Sequence, residues 1–212
     1  MSRMISRLRR DERGLSLSEL LVAMMVMSLA SVVFLTTLSS VQRSVAETDI
    51  RTRTNTQARL ALQTLDHEVR SGNILYDPSQ DLTDPYFRFK IYTQANATTR
   101  QPAPGYTCRL WRISSANELQ TRWWPPNQPE DASAWQTVAT GVVNKAVATP
   151  VNAFELDPDP NKGGRTVNVV FLVNEDLNGD LSSGTVKIQG ALTGRNTSYG
   201  FPVSVCNSEP TD

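Results

Sequence analysis

The sequence is poor in the residues that most catalytic and metal centres use. Among 212 residues there are one histidine, His67, and two cysteines, Cys108 and Cys206. It contains no Cys/His zinc pattern, no GxSxG motif and no phosphate-binding loop motif. His67 stands between Asp66 and Glu68 on a predicted helix without a second ligand at useful spacing, so we expect an exposed helical residue. The sequence therefore predicts a protein that is not an enzyme.

The chain also lacks an excess of charge of either sign. Its 21 basic residues equal its 21 acidic residues in number, and only four of the basic ones are lysines. Proteins that bind nucleic acid usually carry a surplus of basic residues, so no direct binding of nucleic acid is predicted. Aromatic and β-branched residues are plentiful after residue 74, which argues against disorder.

Charged residues are missing altogether between Leu20 and Val41. As a helix, this run would extend about 33 Å, which is enough to cross a hydrocarbon core of about 30 Å. The segment before it, residues 1–14, has five arginines against Asp11 and Glu12. The positive-inside rule then keeps the N-terminus in the cytoplasm and places the rest of the chain outside it. We predict a single-pass protein of the cytoplasmic (inner) membrane.

One carboxylate, Glu19, stands just before the apolar run. A secretory signal would end in small residues of the Ala-x-Ala type, whereas the far side of this run is TTLSSVQRS. A plain signal anchor explains the length of the apolar run. It places Glu19 near the lipid headgroups, where a charge costs less than the roughly 2.5–3.5 kcal/mol that it costs at the centre of a membrane helix. A signal-anchored binding or sensor protein is therefore one alternative.

The stretch from Gly14 to Met24, GLSLSELLVAM, resembles the signal of type IV prepilins. In that family a basic leader ends in glycine, an apolar residue follows, and glutamate is the fifth residue after the cleavage point. The resemblance implies cleavage between Gly14 and Leu15 by prepilin peptidase, N-methylation of Leu15 and retention of the apolar helix. It also implies that Glu19 pairs with the free amine of Leu15 on a neighbouring pilin or pseudopilin subunit, and that an inner-membrane platform assembles the filament.

After the apolar run the chain becomes polar and rich in threonine. The part from Glu47 to Gln57 is compatible with a solvent-bridging helix or with a flexible neck. An amphipathic helix with a glycine stop at Gly72 is predicted next, because apolar residues recur at helical spacing: Ala58, Leu62, Leu65 and Val69. We expect this helix to pack on the domain that follows it.

After Asn73, apolar and polar residues alternate with a period of two, and this pattern predicts β-strands. We expect strands at residues 87–91, 107–113, 119–124, 135–143, 167–173, 185–192 and 199–206. The prolines of WPPNQPEDASA exclude that loop from a sheet, and FELDPDPNKGGR is predicted to be a turn-rich connection. A long helix followed by mostly antiparallel strands is an α+β fold.

These patterns, together with what the prepilin resemblance implies, divide the chain into four segments. They are a cleaved basic leader (1–14), a transmembrane or filament-core helix (15–42), a polar neck with an amphipathic helix (43–72) and a β-rich globular head (73–212). The stretch RLALQTLDHEVRSGNILYDP resembles the helix end and first strand of the larger minor pilins and pseudopilins, the PilW-like or type II secretion protein J-like group. The function implied is that of a minor type IV pilin, with a pseudopilin of type II secretion or a competence pilin as alternatives.

Two further sites can be predicted in the head. Cys108 and Cys206 both fall in predicted strands on the outer side of the membrane, where they could form a disulfide or remain as buried thiols. The acidic loop with Asp176, Asn178 and Asp180 has the alternating oxygen ligands of calcium loops. The same Asn-Gly sequence is a common turn signal, so a turn without calcium is the favoured interpretation. No other cofactor is predicted.

Overall fold

The computed structural model describes residues 16–95, 102–159, 164–174, 185–194 and 204–211. Within these ranges a long α-helix comes first, and eight β-strands with two short 3-10 helices follow it. The strands pair antiparallel in two sheets. This is the predicted α+β class, with a long N-terminal helix before an antiparallel β-rich domain. The chain divides into two compact units, Met1–Thr48 and Asp49–Asp212.

The helix, α1, extends from Leu17 to Ser71. The segment in which a flexible neck was one alternative is helical, so the helical alternative is the correct one. Its polar side chains find partners within the helix. Arg53 Nη2 lies 2.9 Å from Asp49 Oδ2 one turn earlier, and the hydroxyl of Thr56 donates to the carbonyl oxygen of Thr52 at 2.8 Å. The ion pair supports the helix by a few tenths of a kcal/mol, and the threonine bond satisfies the hydroxyl without adding helix stability.

Gly72 directly follows the end of α1, and glycine is required there for a reason that the sequence pattern does not show. The described glycines with a left-handed φ are Gly141 and Gly164, so the predicted stop at Gly72 is not a left-handed cap. A Cβ atom at Gly72 would lie 3.0 Å from Ile91 Cγ2 and 3.1 Å from the carbonyl oxygen of Val69. Glycine is needed here because a neighbouring strand passes very close to the helix end.

The larger sheet is a meander whose strands lie side by side in chain order: β1 (Gly72–Leu75), β2 (Arg88–Ala95), β3 (Pro102–Ile113), β4 (Leu119–Trp124) and β5 (Gln136–Ala139). The smaller sheet contains β6 (Phe154–Leu156), β7 (Thr166–Val173) and β8 (Val186–Thr193). The predicted hairpins β3–β4 and β7–β8 are confirmed. The prediction that the FEL segment is only a connection is wrong, because Phe154 pairs with Val169 of β7 and forms an edge strand.

One stripe of α1 packs against both sheets. Ala58, Ala61, Leu65 and Val69 are fully buried and belong to one hydrophobic cluster with residues of each sheet, including Phe89, Ile91, Trp111, Phe154, Phe171 and Ile188. The two alanines let the helix backbone come close to the strands, and burial of the larger side chains supplies most of the stabilisation. This stripe fixes the second part of α1 on the head.

A buried ion pair lies within that helix–sheet interface. Glu68 Oε1 of α1 is 3.0 Å from Arg109 Nε of β3, without the alignment of a hydrogen bond, and Trp111 Nε1 donates to Glu68 Oε2 at 2.6 Å. The side chains of Glu68 and Arg109 are 0% and 2% exposed. Burial raises the pKa of Glu68 to about 7, although Arg109 and the Trp111 hydrogen bond act in the opposite direction.

The face of the larger sheet that points away from α1 is covered by residues 204–211, here called the C-terminal strap. A disulfide joins Cys206 of the strap to Cys108 of β3, with 5.7 Å between the two Cα atoms. Cys206 lies in a turn, so its predicted position in a strand is wrong. The rest of the predicted last strand, residues 199–203, lies outside the described residues. The disulfide therefore holds an irregular segment on the sheet.

Ionic and polar contacts hold the rest of the strap. The Glu209 carboxylate is 2.7 Å from Arg88 Nη2 and 2.6 Å from Lys90 Nζ, both on β2. Arg122 Nη2 of β4 donates to the carbonyl oxygen of Pro210 at 2.7 Å. Arg88 also pairs with Asp81, with 3.1 Å between Arg88 Nη1 and Asp81 Oδ1. The strap thus supplies acceptors to basic side chains from two strands.

The raised pKa of Glu68 gives a pH dependence with a defined sign. Between about pH 4.5 and pH 7 the folded protein keeps a proton on Glu68 that the unfolded chain releases, so the Glu68 contribution to the free energy of unfolding grows as pH falls through this window. We expect the melting temperature of the wild type, minus that of Glu68→Gln, to increase from pH 8 to pH 5. The melting temperatures of the two proteins can be measured by tryptophan fluorescence of the full chain in a non-ionic detergent.

Glu155→Gln is the matched control, because Glu155 is an exposed glutamate on β6. The melting temperature of the wild type minus that of Glu155→Gln should not increase from pH 8 to pH 5 in the way expected for Glu68→Gln. If the difference for Glu68→Gln is flat or decreases on acidification, the ion pair with Arg109 outweighs desolvation and the assignment is wrong.

The disulfide should contribute substantially to stability. Cys108 and Cys206 are 98 residues apart in sequence, and closing a loop of this size is worth about 4–5 kcal/mol in the chain-entropy model. The double variant Cys108→Ser/Cys206→Ser should unfold at a clearly lower temperature than the wild type. Titration of thiols in the denatured, unreduced wild type should find no reactive thiol, and finding two would contradict the bond.

Candidate processing and assembly site

Glu19 lies in the first turn of α1, and Ser16 caps that turn. The backbone N–H of Glu19 donates to the carbonyl oxygen of Ser16 at 3.0 Å and lies 3.2 Å from its Oγ. Gly14 and Leu15 lie outside the described residues. A carboxylate in the first turn of a helix is favoured by the helix dipole, and Glu19 is exposed. It is therefore available to a cation near the helix start.

The apolar part of α1 that follows Glu19, up to Val45, is exposed on all sides. Its large apolar side chains between Leu17 and Val45 are each at least 42% exposed. Of the described helices, α1 alone is long and apolar enough to span a membrane, with an 18-residue window that has a mean hydropathy of 2.3 and no buried residue. A core helix of a soluble protein would bury such a window. The exposure indicates that lipid or other chains cover it.

Hydroxyl groups within this apolar part bond to the helix itself. Each described bond runs to a carbonyl oxygen three or four residues earlier, at 2.8–2.9 Å, and the donors are Ser28, Ser31, Thr36, Thr37 and Ser39. A polar group in hydrocarbon is tolerated when it is satisfied inside its own segment. These hydroxyls therefore do not prevent the helix from residing in lipid.

The remaining predicted site residues stand apart from this segment. His67 is exposed on α1, as predicted. Asp176, Asn178 and Asp180 lie outside the described residues, so calcium binding by their loop stays a prediction. In the part of the chain that the structure describes, no group of three or more His, Cys, Asp or Glu side chains could hold a metal.

The structure also brings together polar groups that the sequence pattern did not single out. Arg88 and Lys90 alternate with apolar residues of β2, which predicts that they face solvent, yet Arg88 is only 6% exposed. The strap covers them and supplies Glu209. The sequence does contain one sign that this face of the sheet is covered. On the neighbouring strand β3, Cys108 and Leu110 face one side and Trp111 faces the other, so both faces carry apolar side chains. A strand of this kind is covered on both faces.

Comparison with known proteins bears on the N-terminal segment. A family model described as the prokaryotic N-terminal methylation motif matches residues 9–35. No curated protein matches the chain. The match supports a type IV pilin-type protein that prepilin peptidase processes and that assembles with other pilin subunits, as a structural subunit rather than an enzyme. Together with the exposed apolar helix, it fits a membrane-anchored pilin.

Proposed function

We propose that this protein is a minor type IV pilin, a structural subunit that joins or primes a pilus-like filament after its leader is removed. The observation that carries the proposal is the methylation motif over residues 9–35, which includes most of the exposed apolar part of α1. Before assembly, lipid covers that helix, and the head lies outside the cytoplasm. In the filament, the helices of neighbouring subunits take the place of the lipid.

Apolar helices in hydrocarbon slide past one another at little cost, because one apolar contact resembles the next. A charge pair removes this freedom, since a carboxylate and an ammonium group attract each other far more strongly in a medium of low dielectric constant. Cleavage after Gly14 creates such an ammonium group at Leu15. Glu19 of one subunit and the amine of its neighbour then define the axial register of the filament.

The size of the chain and its elaborate head favour a minor pilin over a major one. A pseudopilin of a type II secretion system is the second candidate, because the stretch from Arg59 to Pro78 resembles minor pilins and pseudopilins alike. The neutral net charge gives no support to DNA uptake by a competence pilin. Loss of surface filaments on gene deletion would favour the pilin, and loss of protein secretion with intact pili would favour the pseudopilin.

Processing can be measured directly. In cells that contain prepilin peptidase, we expect the mass of the mature chain to correspond to a start at Leu15 with one added methyl group. In cells without the peptidase, residues 1–14 should remain. A chain that keeps its leader in both strains would instead support a signal-anchored protein.

Glu19→Ala should separate processing from assembly. We expect this variant to be cleaved normally, because Gly14 and the basic leader are unchanged, but to enter sheared filaments at about one tenth of the wild-type level or less, equivalent to about 1.4 kcal/mol. Immunoblots of the membrane and sheared-filament fractions show whether the chain is cleaved and how much of it is incorporated. Glu47→Ala is the matched control, since it removes a carboxylate from the same helix outside the apolar run. Normal incorporation of Glu19→Ala would refute the proposed role of Glu19.

A further inference from the structure

The start of α1 has the sequence of a capping box, in which a serine at the helix N-cap is followed three residues later by a glutamate. Ser16 and Glu19 have this spacing. In a complete box the serine side chain accepts from the backbone N–H of the glutamate, and the carboxylate accepts in return from the backbone N–H of the serine. A complete box would therefore occupy the Glu19 carboxylate within its own chain.

Only the first half of this box is formed. The carbonyl oxygen of Ser16 accepts from the backbone N–H groups of Glu19 and Leu20 at 3.0 and 3.1 Å, which makes Ser16 the N-cap of α1. The Glu19 N–H is shared with Ser16 Oγ at 3.2 Å, and this oxygen lies 2.8 Å from Ser18 Oγ. Among the residues that the structure describes, none donates to the Glu19 carboxylate. The half of the box that would use this carboxylate stays open.

The place of the cap decides where a new N-terminus lies relative to the helix. The proposed cleavage between Gly14 and Leu15 leaves Ser16 as the second residue, and α1 begins at Leu17. A helix that started at the cleaved end would hold the ammonium group at the positive end of its dipole, which is unfavourable. It would also put that group four residues from Glu19 of the same chain, a spacing at which opposite charges pair within one helix. A cap at Ser16 opposes both.

We propose that Ser16 is a positioning residue for the contact between Glu19 and the amine of a neighbouring subunit. This inference rests on the proposed function, which supplies the amine. Ser16 starts the helix behind the ammonium group of its own Leu15 and holds the backbone of Glu19 in the first turn. The hydroxyl of Ser16 also satisfies a backbone N–H that finds no water in hydrocarbon. The carboxylate of Glu19 is then left for the amine of another chain.

Ser16→Ala removes the cap and keeps Glu19, Gly14 and the basic leader. Loss of a serine N-cap weakens a helix start by an amount that corresponds to about a fivefold change in an equilibrium. We therefore expect mature Ser16→Ala chains to enter sheared filaments at about one fifth of the wild-type level, whereas Ser16→Thr, which keeps a hydroxyl, should stay within about twofold of it. Ser18→Ala is the matched control, because it removes a hydroxyl from the same turn and leaves the acceptor on Ser16. Mass spectrometry of labelled peptides from the filament and membrane fractions gives the ratio of incorporated to mature chain.

A double-mutant cycle separates positioning from general stabilisation of the helix. If Ser16 acts through Glu19, adding Ser16→Ala to Glu19→Ala should lower incorporation no further. A loss of about fivefold in both backgrounds would mean that the cap only stabilises the helix, and it would overturn the inference. The inference is also overturned if Ser16→Ala assembles like the wild type, if Ser16→Thr or Ser18→Ala loses as much as Ser16→Ala, or if Ser16→Ala is not cleaved, since that result assigns Ser16 to the peptidase. Normal assembly of Glu19→Ala would instead refute the role of Glu19 itself.

Discussion

The head depends on the close packing of one stripe of α1 against two separate sheets. Ala58 and Ala61 make this possible, because larger side chains at these positions would hold the helix away from the strands. Once the helix is in place, the sheets also contact each other directly. Phe89 of the larger sheet stacks on Phe154 of the smaller one with 5.6 Å between ring centroids, and the backbone of Tyr86 accepts hydrogen bonds from Ala153 and Phe154. Tyr86 adopts a left-handed φ of 65° to make these bonds, a strain of order 1–3 kcal/mol that the junction offsets.

Local patterns in the sequence predicted the elements that depend on local physics. The apolar run, the amphipathic stripe and the two hairpins all follow from the spacing of neighbouring residues, and the structure has them at nearly the predicted positions. β6 was missed because three residues flanked by proline-rich sequence carry no strand signal of their own, and only the distant partner β7 makes Phe154–Leu156 a strand. The sequence does not decide the state of residues 47–57 for a related reason. Threonine has low intrinsic helix propensity, and the contacts of this segment with the head depend on the fold: Thr54 is buried, and Thr140 donates to Gln57 Oε1 at 3.3 Å.

The ion pair between Glu68 and Arg109 shows a different limit of sequence reasoning. Glu68 follows Leu65 at helical spacing, so it belongs to the buried stripe, but a carboxylate at such a position has no visible partner until β3 is placed. Replacement of a buried pair by apolar residues often leaves stability unchanged, whereas loss of one partner is expensive. The pair therefore adds little net stability, and it penalises any arrangement in which α1 is shifted relative to β3.

The strap follows every strand of the larger sheet in the sequence, and this order has a consequence for folding. The outer face of the larger sheet contains Ile74, Tyr92, Leu110 and Trp124, and Cys206 joins this cluster from the strap. During synthesis these side chains are made well before residues 204–211, so this part of the face stays uncovered until the strap itself has been made. Exposed apolar surface of this kind invites contacts with chaperones or aggregation. A stop codon or a bulky fusion close to Cys206 would leave the last step of folding undone, although every strand of the sheet would already be present.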